Sequence, residues 1–336
     1  MKIFVDAMGG DFAPQAPVEG AIEALRRYPG IEVVLAGVIP EIEKYLVDCD
    51  DVRSRIELLD APEVITNEES PVMGVRRKVN SATVKGMLAL RNKEVDGFVS
   101  AGSTGAVLAG GMFRLGRIPG IERPALAPML PNGKGYVLLI DCGANVDCKP
   151  DYLVQFGMMG SAYMQGVMQM DNPRVGLVNI GAEAEKGNAL VKETYPLMET
   201  APYNFVGNVE ARDVMADAAD VLVADGFSGN LILKNTEGVA MALLKIIKQE
   251  MMADLSGKIA GLIGKPAFRR VKKLMDYTEV GGAPLLGVKG AVVKAHGSSN
   301  AHAFSCAIGQ LIKMIDGKVV DIIEAGVAKI APTENA

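Results

Sequence analysis

Short apolar runs rich in β-branched residues recur along the chain and alternate with longer segments of helical periodicity. The runs lie at residues 2–6, 31–36, 55–59, 95–100, 136–141, 174–180, 203–206, 221–225 and 291–295. Because their apolar residues are continuous rather than alternating, they predict strands covered on both faces. The helical segments lie at residues 14–28, 70–92, 151–170, 230–252 and 300–327. This alternation predicts an α/β fold with a mostly parallel sheet.

The length of 336 residues favours about two domains, but no repeat, linker or shift in composition divides the chain. We therefore predict one α/β body over residues 1–330, followed by a tail at residues 331–336. Two separate domains remain the alternative. The hydrophobic content of 49% excludes wholesale disorder.

Charge and cysteine usage exclude several classes of protein. The 35 basic and 40 acidic residues give a net charge of -5, so nothing indicates a nucleic-acid partner. No apolar run approaches the roughly 18 residues of a transmembrane helix, and the chain starts with a strand pattern rather than a signal peptide. We expect a cytoplasmic protein. The cysteines form no C-x-x-C pair, which favours reduced thiols and no metal site: Cys49, Cys142, Cys148 and Cys306.

Polar, glycine-containing turns follow many of the predicted strands. They lie at residues 6–11, 100–105, 141–147, 179–181, 207–210, 225–230 and 296–300. In open α/β sheets, ligands bind outside the carboxyl ends of the strands, so these turns predict a polar pocket at one edge. The alternative is that glycine and asparagine serve only as turn and cap residues.

The common nucleotide and hydrolase motifs are missing. The chain has no P-loop, no G-x-G-x-x-G after the first strand and no G-x-S-x-G elbow. What remains is a candidate anion site made of backbone amides with Lys186, Lys294 and His296. Lys186 is equally well explained as a solvated surface residue, and we expect a structural role for His302.

Residues 255–275 contain basic and apolar residues but no acidic residue. We predict a protruding basic amphipathic helical hairpin over residues 254–276, with Pro266 breaking it into two short helices. Such a hairpin suits an anionic membrane surface or an acidic protein. The alternative is a helix pair packed on the body or on a second subunit.

Long motifs along nearly the whole chain resemble those of the bacterial phosphate acyltransferases. They are VDAMGGD at 5–11, VRRK at 75–78, SAGSTGA at 100–106, RPALAP at 123–128, DCGANVD at 141–147, KGN at 186–188, GNVEARD at 207–213, DGFSGN at 225–230 and KAHGSS at 294–299.

The resemblance implies transfer of a fatty acyl group from acyl carrier protein to inorganic phosphate, which gives the acyl phosphate used in phospholipid synthesis. It implies a three-layer α/β/α sandwich similar to isopropylmalate dehydrogenases and phosphotransacetylases. It also implies a homodimer, no cofactor or metal, and peripheral attachment to the inner face of the cell membrane, near a membrane-bound glycerol-3-phosphate acyltransferase.

With this reaction in view, we assign candidate roles to individual residues. The catalytic candidates are Lys186, Asn188 and His296. The substrate-binding candidates are Asp6, Gly102, Ser103, Thr104, Gly105, Asn145, Asp225, Asn230, Lys294 and Ser298. The candidates for contact with the carrier protein or the membrane are Leu262, Ile263, Lys265, Phe268, Arg269, Arg270, Lys272 and Lys273.

Two rival functions stay open at this stage. One is another transacylase or a nicotinamide-dependent dehydrogenase of the same fold, although the chain has no evident carboxylate cluster for a divalent metal. The other is a membrane-recruiting adaptor whose only functional surface is the hairpin. The preferred acyl-chain length does not follow from the sequence.

Overall fold

The computed structural model describes residues 1–275 and 281–330, so the predicted tail at 331–336 lies outside the described residues. Strands β1 to β12 run over Lys2–Asp6, Glu32–Gly37, Ile56–Asp60, Gly97–Ser100, Ala125–Leu126, Met129–Pro131, Tyr136–Ile140, Arg174–Asn179, Asn204–Glu210, Val221–Val223, Ala283–Leu286 and Ala291–Lys294. Helices α1 to α11 run over Gln15–Arg27, Ile39–Glu43, Pro71–Arg77, Ala82–Arg91, Thr104–Gly110, Pro150–Met168, Ala189–Glu199, Gly226–Ala253, Leu255–Met275, Ala301–Asp316 and Val319–Ile330.

The first sheet has seven strands in the order β3-β2-β1-β4-β12-β11-β5. Its first five strands are all parallel, and β11 is antiparallel to both β12 and β5. Lys294 at the end of β12 pairs with Ser100 at the end of β4, and Val5 of β1 pairs with Val99. The carboxyl ends of β1, β4 and β12 therefore lie side by side.

The second sheet has five strands in the order β6-β7-β10-β8-β9. All its pairings are parallel except that of β6 with β7. Arg174, at the start of β8, ties the loop before β10 to this sheet. Its Nη2 atom lies 2.7 Å from Asp217 Oδ1 and 2.9 Å from Asp220 Oδ1.

Helices cover both faces of each sheet, as the alternation of strand side chains shows. In β1, Ile3 and Val5 pack in the core cluster that contains residues of α1 and α10, whereas Phe4 packs in the cluster that contains residues of α4. In β7, Leu138 faces the cluster of α6, and Leu139 faces the cluster that α8 contacts. This confirms the predicted α/β architecture with helices on both faces.

The two sheets share one hydrophobic core, because the largest cluster holds residues from both of them and from α6, α10 and α11. The segment that carries β5 and β6 joins them. Leu126 N donates to Asp141 Oδ1 at 2.9 Å, and Leu139 N donates to Pro128 O at 3.0 Å. The architecture is thus two joined sheets rather than the single sheet that we predicted.

Helices α8 and α9 fold back on each other and project from the body. A Cβ atom at Gly261 of α9 would lie 3.6 Å from Met251 Cε of α8, which places the two helices in contact near their connection. Only Gly226 and Gly229 of α8 are buried. The pair leaves many apolar side chains exposed, including Leu243, Leu262 and Ile263.

Three predicted helix boundaries are wrong. Pro266 lies inside a continuous α9, so the hairpin consists of α8 and α9 rather than two short helices within 254–276. The predicted helix at 70–92 is interrupted before Ser81, whose hydroxyl accepts a hydrogen bond from Val84 N and caps α4. The predicted helix at 300–327 is interrupted at Lys318, which has a left-handed φ of 50°.

Candidate active site

Turns from both sheets meet around two adjoining cavities. A cavity of about 400 Å³, here called the polar cavity, lies between the turns after β1 and β4; its lining includes Asp6, Asp11, Glu63, Glu68, Ser103 and Thr104. A cavity of about 460 Å³, here called the mixed cavity, lies between the two sheets; its polar lining includes Thr104, Asn230, Lys234, Glu237, Lys294 and His296. This arrangement supports the predicted gathering of turns.

The opposite wall of the mixed cavity is apolar. It is formed by the segment that joins the two sheets, by Cys142 and by α8, and includes Leu126, Pro128, Met129, Leu130 and Leu233. Burial raises the pKa of the Cys142 thiol well above its usual value, which disfavours the nucleophilic thiolate. The cavity therefore offers cations and hydrogen-bonding groups on one side and hydrocarbon contacts on the other.

Lys294 lines both cavities and is only 8% exposed. Its ammonium group lies 3.3 Å from Ala101 O and also donates to Ala295 O. Burial lowers the pKa of Lys294 to about 8, against the attraction of Asp6 and Asp11, which favours the charged form. A buried cation whose neighbours do not fully compensate its charge is a strong site for an anionic ligand.

Asp6 lies at the end of β1 and is almost fully buried. Its Oδ2 atom accepts hydrogen bonds from Ser100 Oγ at 2.8 Å and Thr83 Oγ1 at 3.1 Å, and its Oδ1 atom accepts from Met8 N at 3.1 Å. Desolvation raises the pKa of Asp6, and these hydrogen bonds together with Lys294 oppose the rise. Asp6 thus holds the turns after β1 and β4 together beside the ammonium group.

His296 is exposed at the mouth of the mixed cavity, two residues beyond Lys294. Its Nδ1 atom accepts from Ser298 N at 3.2 Å and lies 2.8 Å from Ser298 Oγ. A ring nitrogen that accepts an amide hydrogen carries no proton, so the neutral ring has its proton on Nε2. Partial desolvation and the nearby Lys234 lower the pKa of His296, which favours this neutral form.

Asp141, at the end of β7, organises the turn that faces α8. Its carboxylate accepts from Leu126 N at 2.9 Å, from Asn145 N at 2.6 Å and from Asn145 Nδ2 at 3.0 Å. Burial nevertheless raises the pKa of Asp141 to about 6. In the sequence, Asp141 belongs to the motif at residues 141–147, and no local pattern distinguishes it from the other aspartates that follow strands.

The first turns of α8 pack tightly against this Asp141 turn. Asp225 Oδ1 accepts from Ser228 N at 2.9 Å and caps the helix, and Gly226 N donates to Asn145 O at 2.7 Å. A Cβ atom at Gly229 would lie 1.9 Å from Asp141 O, so only glycine fits there. Asp225 and Asn145 therefore position α8 through internal hydrogen bonds, and neither belongs to the lining of the mixed cavity.

Besides Leu233, three polar side chains of α8 face the mixed cavity: Asn230, Lys234 and Glu237. Lys234 Nζ lies 2.9 Å from Glu237 Oε2. Asn230 was predicted from the sequence, whereas Lys234 and Glu237 were not. Their spacing of four and three residues along one helical face was the available signal.

The remaining substrate-binding candidates occupy different positions. Gly102, Ser103 and Thr104 line the polar cavity, as does Asp6. Gly105 does not belong to either lining, and a Cβ atom there would lie 2.5 Å from Pro71 Cγ, so it serves the packing of α5 on α3. Ser298 acts on the site through its contacts with His296.

Lys186 and Asn188 are not among the residues that line the two cavities. Lys186 Nζ lies 3.0 Å from Glu183 Oε1, with both side chains about half exposed. Asn188 Oδ1 accepts from Val191 N at 3.0 Å and caps α7. Both residues follow β8, which β10 separates from β7 in the sheet. Their predicted catalytic roles stay predictions.

The candidates for contact with the carrier or the membrane lie on α9. Leu262 and Ile263 are 73% and 76% exposed, and Phe268 is 36% exposed. Lys265, Arg269 and Arg270 are also exposed. The backbones of Lys272 and Lys273 belong to α9, but their side chains lie outside the described part of the chain. Among the helices that the structure describes, none is both long and apolar enough to cross a membrane.

Known proteins resemble this chain over nearly its full length. A sequence model of a family described as "Fatty acid synthesis protein" matches residues 1–321. A protein named "Phosphate acyltransferase" from Alkaliphilus oremlandii is 51% identical over 334 residues, which cover 99% of each chain. Another with this name, from Clostridium kluyveri, is 49% identical over 330 residues, which cover 98% of each. The chain belongs to the phosphate acyltransferase family. It is accordingly an enzyme of the acyltransferase class.

The fold of this family member is shared with more distant enzymes. A phosphotransacetylase from Streptococcus pyogenes superposes with a TM-score of 0.61 at 15% identity and covers 96% of this chain and 94% of its own. A branched-chain phosphotransacylase from Enterococcus faecalis gives a TM-score of 0.59 at 12% identity, with coverage of 94% and 99%. At these identities the likeness shows only a shared fold, and it confirms the predicted similarity to the phosphotransacetylase fold.

Proposed function

We propose that the protein transfers a fatty acyl group from the thioester of acyl carrier protein to inorganic phosphate. The observation that carries this proposal is the position of Lys294, a buried cation shared by a polar cavity and a cavity with one apolar wall. The product is an acyl phosphate, which supplies phospholipid synthesis with activated acyl groups. Membership of the phosphate acyltransferase family supports the phosphate acceptor.

Electrostatics favours the mixed cavity for the phosphate. The polar cavity combines Lys294 with four carboxyl side chains, whereas the mixed cavity combines Lys294, Lys234 and His296 with Glu237 alone. A phosphate beside Lys294, Thr104 and Asn230 therefore meets more cations and fewer anions on this side. Of the turn at residues 102–105, which was predicted to bind phosphate, only Thr104 lines the mixed cavity. Thr104 alone then keeps the predicted phosphate contact.

The reaction needs no activated side-chain nucleophile, because phosphate is itself charged near neutral pH. A phosphate oxygen forms a bond to the thioester carbonyl carbon, the carbonyl oxygen gains negative charge, and the C–S bond then breaks. Nε2–H of the neutral His296 donates a hydrogen bond to the carbonyl oxygen, and the proton that the hydrogen phosphate gives up on forming the acyl phosphate passes to the departing thiolate. Orientation of the two reactants contributes up to about 7–11 kcal/mol, and each well-placed donor contributes about 3–4 kcal/mol.

The test mixes the purified protein with palmitoyl carrier protein and phosphate. We expect free carrier thiol and hydroxylamine-trappable acyl phosphate to appear in equal amounts, and neither to appear when phosphate is left out. Thiol release that does not depend on phosphate would identify a thioesterase and refute the proposal. Lys294→Met should strongly reduce the formation of acyl phosphate. Lys192→Met, which removes an exposed lysine of α7, is the control for this variant.

We also propose that α9 carries the contacts outside the active site. Arg269, Arg270 and Lys265 suit an acidic carrier protein, and Lys272 and Lys273 extend the same basic sequence. Such contacts act mainly on association and weaken with salt. Arg269→Glu is expected to raise KM for the carrier more than it lowers kcat. An effect confined to kcat would contradict a docking role.

The exposed apolar residues of α9 support peripheral attachment to the inner face of the membrane, where a membrane-bound glycerol-3-phosphate acyltransferase would receive the product. We expect Leu262→Glu and Ile263→Glu to reduce flotation with anionic liposomes. Ile180→Glu changes an equally exposed residue away from α9 and is the control. Flotation unchanged in both α9 variants would contradict insertion.

The exposed apolar side chains of α8 suit a homodimer contact, which the molecular mass in solution tests.

A further inference from the structure

A third cavity, here called the distal cavity, lies behind the mixed cavity and has a volume of about 160 Å³. Its walls come from α1, α6, α10 and the edge formed by β6 and β7. The apolar part of its lining includes Met129, Val167 and Met168. None of the roles assigned above uses this cavity.

Met129 is the residue that the linings of the mixed and distal cavities have in common. It belongs to β6, at the segment that joins the two sheets, and is only 4% exposed. Methionine is unbranched and adapts its shape more readily than the other large apolar side chains. Met129 therefore forms a partition between the two spaces, and its side chain can change shape.

One face of α10 also runs from the mixed cavity to the distal cavity. Ala303 lines the mixed cavity, and Cys306 and Gly309 line the distal cavity. Residues three apart lie on the same face of a helix, about 4.5 Å apart along its axis. The two cavities are thus separated by roughly one helical turn, and the residues along this face are small.

We propose that the distal cavity receives the methyl end of the acyl chain, and that Met129 determines how long a chain the enzyme accepts. This inference rests on the proposed acyl transfer at the mixed cavity. The thioester carbonyl lies near Lys294 and His296, the chain follows the apolar wall, and its last carbons pass Met129. The chain then contacts Val167 and Met168.

One polar atom of the distal cavity, the buried Oε1 of Gln310, has no hydrogen-bond partner among the described residues, whereas the amide nitrogen of the same side chain is paired. Gln310 Nε2 donates to Tyr163 OH at 3.0 Å, and the charged side chains in the lining, Arg27 and Lys313, are exposed. A hydrocarbon chain leaves these interactions in place. A polar occupant that used the Gln310 amide would instead make activity independent of the size of Val167, and the experiment separates these outcomes.

The experiment compares hexanoyl, dodecanoyl and octadecanoyl carrier protein as substrates of Val167→Phe. The larger side chain fills the distal cavity, so we expect kcat/KM to fall for the longest chain relative to the shortest. Each methylene group that is excluded costs about fourfold, from the free energy of burying one methylene. Val320→Phe makes the same change at a partly buried valine of α11 outside the distal cavity and should leave the ratio unchanged.

Met129→Ala is the second variant and removes the partition. We expect it to raise the ratio of octadecanoyl to dodecanoyl kcat/KM severalfold, and a thermal unfolding scan confirms that the variant is folded. Unchanged chain-length ratios in both variants would overturn the inference while acyl phosphate formation still supports the proposed reaction. If no chain length gives acyl phosphate with the wild-type protein, the proposed reaction itself fails.

Discussion

Replacement of Lys294 by methionine is expected to make the protein more stable at neutral pH and nearly inactive. The pKa of Lys294 falls from 10.5 in the unfolded chain to about 8 in the folded protein, chiefly through desolvation. The folded state binds the proton more weakly than the unfolded state, so the charged lysine destabilises the fold below pH 8. At about 1.36 kcal/mol per pKa unit, the cost is about 3 kcal/mol at pH 7.

This cost decreases as the pH rises, because the unfolded chain also begins to lose the proton. At pH 10 it is about 1 kcal/mol. Lys294→Met therefore gains up to about 3 kcal/mol at pH 7, less about 1 kcal/mol for each hydrogen bond lost to Ala101 O and Ala295 O. Between pH 7 and pH 10 the difference in the free energy of unfolding between variant and wild type should shrink by about 2 kcal/mol.

Urea denaturation of both proteins at the two pH values measures this difference, and Lys192→Met controls for the loss of one positive charge. In the same preparations, acyl phosphate formation should fall about 10²–10³-fold, the usual effect of removing one donor to a developing negative charge. A stability difference that stays the same at both pH values would refute the assignment of Lys294 as a destabilising buried cation. Wild-type activity in the variant would refute its role in the reaction.

Three further predictions concern pH and the packing around the site. The kcat/KM of the wild type should decline as pH rises through about 8, where Lys294 loses its charge, and a flat profile between pH 7 and pH 10 would contradict this. Gly229→Ala should displace α8 from Asp141 and greatly reduce both stability and activity, whereas Gly238→Ala, with open space around it, should raise helix stability by about 0.5–1 kcal/mol in a urea titration. Arg174→Met should lower the free energy of unfolding by about 1–3 kcal/mol at pH 7. That deficit should shrink as the pH falls below about 4, because the two aspartate partners, whose pKa values are lowered in the fold, become protonated and the wild type loses the same contacts.

The strands and their turns could be predicted because both depend on local sequence. A buried parallel strand must be apolar along its length, and the polar residue that ends it stands out, as Asp6 and Lys294 do. The predicted strands at 2–6, 136–141 and 291–295 agree with β1, β7 and β12 to within one residue. The short strands β5, β6 and β11 were missed because each contains or adjoins a proline, which argues against a strand in a sequence: Pro124, Pro131 and Pro284.

Which turns meet could not be predicted, because the order of strands in a sheet is not a local property. Lys186 lies in the turn after β8 and Lys294 ends β12, yet β10 separates β8 from β7, whereas Lys294 lines the mixed cavity. Lys234 and Glu237 were missed for a related reason. On an isolated helix they look like an ordinary surface pair, and only the contact of α8 with the Asp141 turn places them at a cavity.

Helix α8 has a mechanical consequence. Its 28 residues give it a length of about 42 Å. Asn230 and Lys234 lie near one end of this rod, at the mixed cavity, and the other end meets α9 beyond the body. Helical backbone hydrogen bonds run along the whole of α8. A force on the end that meets α9 is therefore transmitted to the residues of α8 that line the mixed cavity. The proposed attachment through α9 and the proposed reaction at the mixed cavity would thus depend on the same rigid helix, and an insertion in its middle should uncouple them.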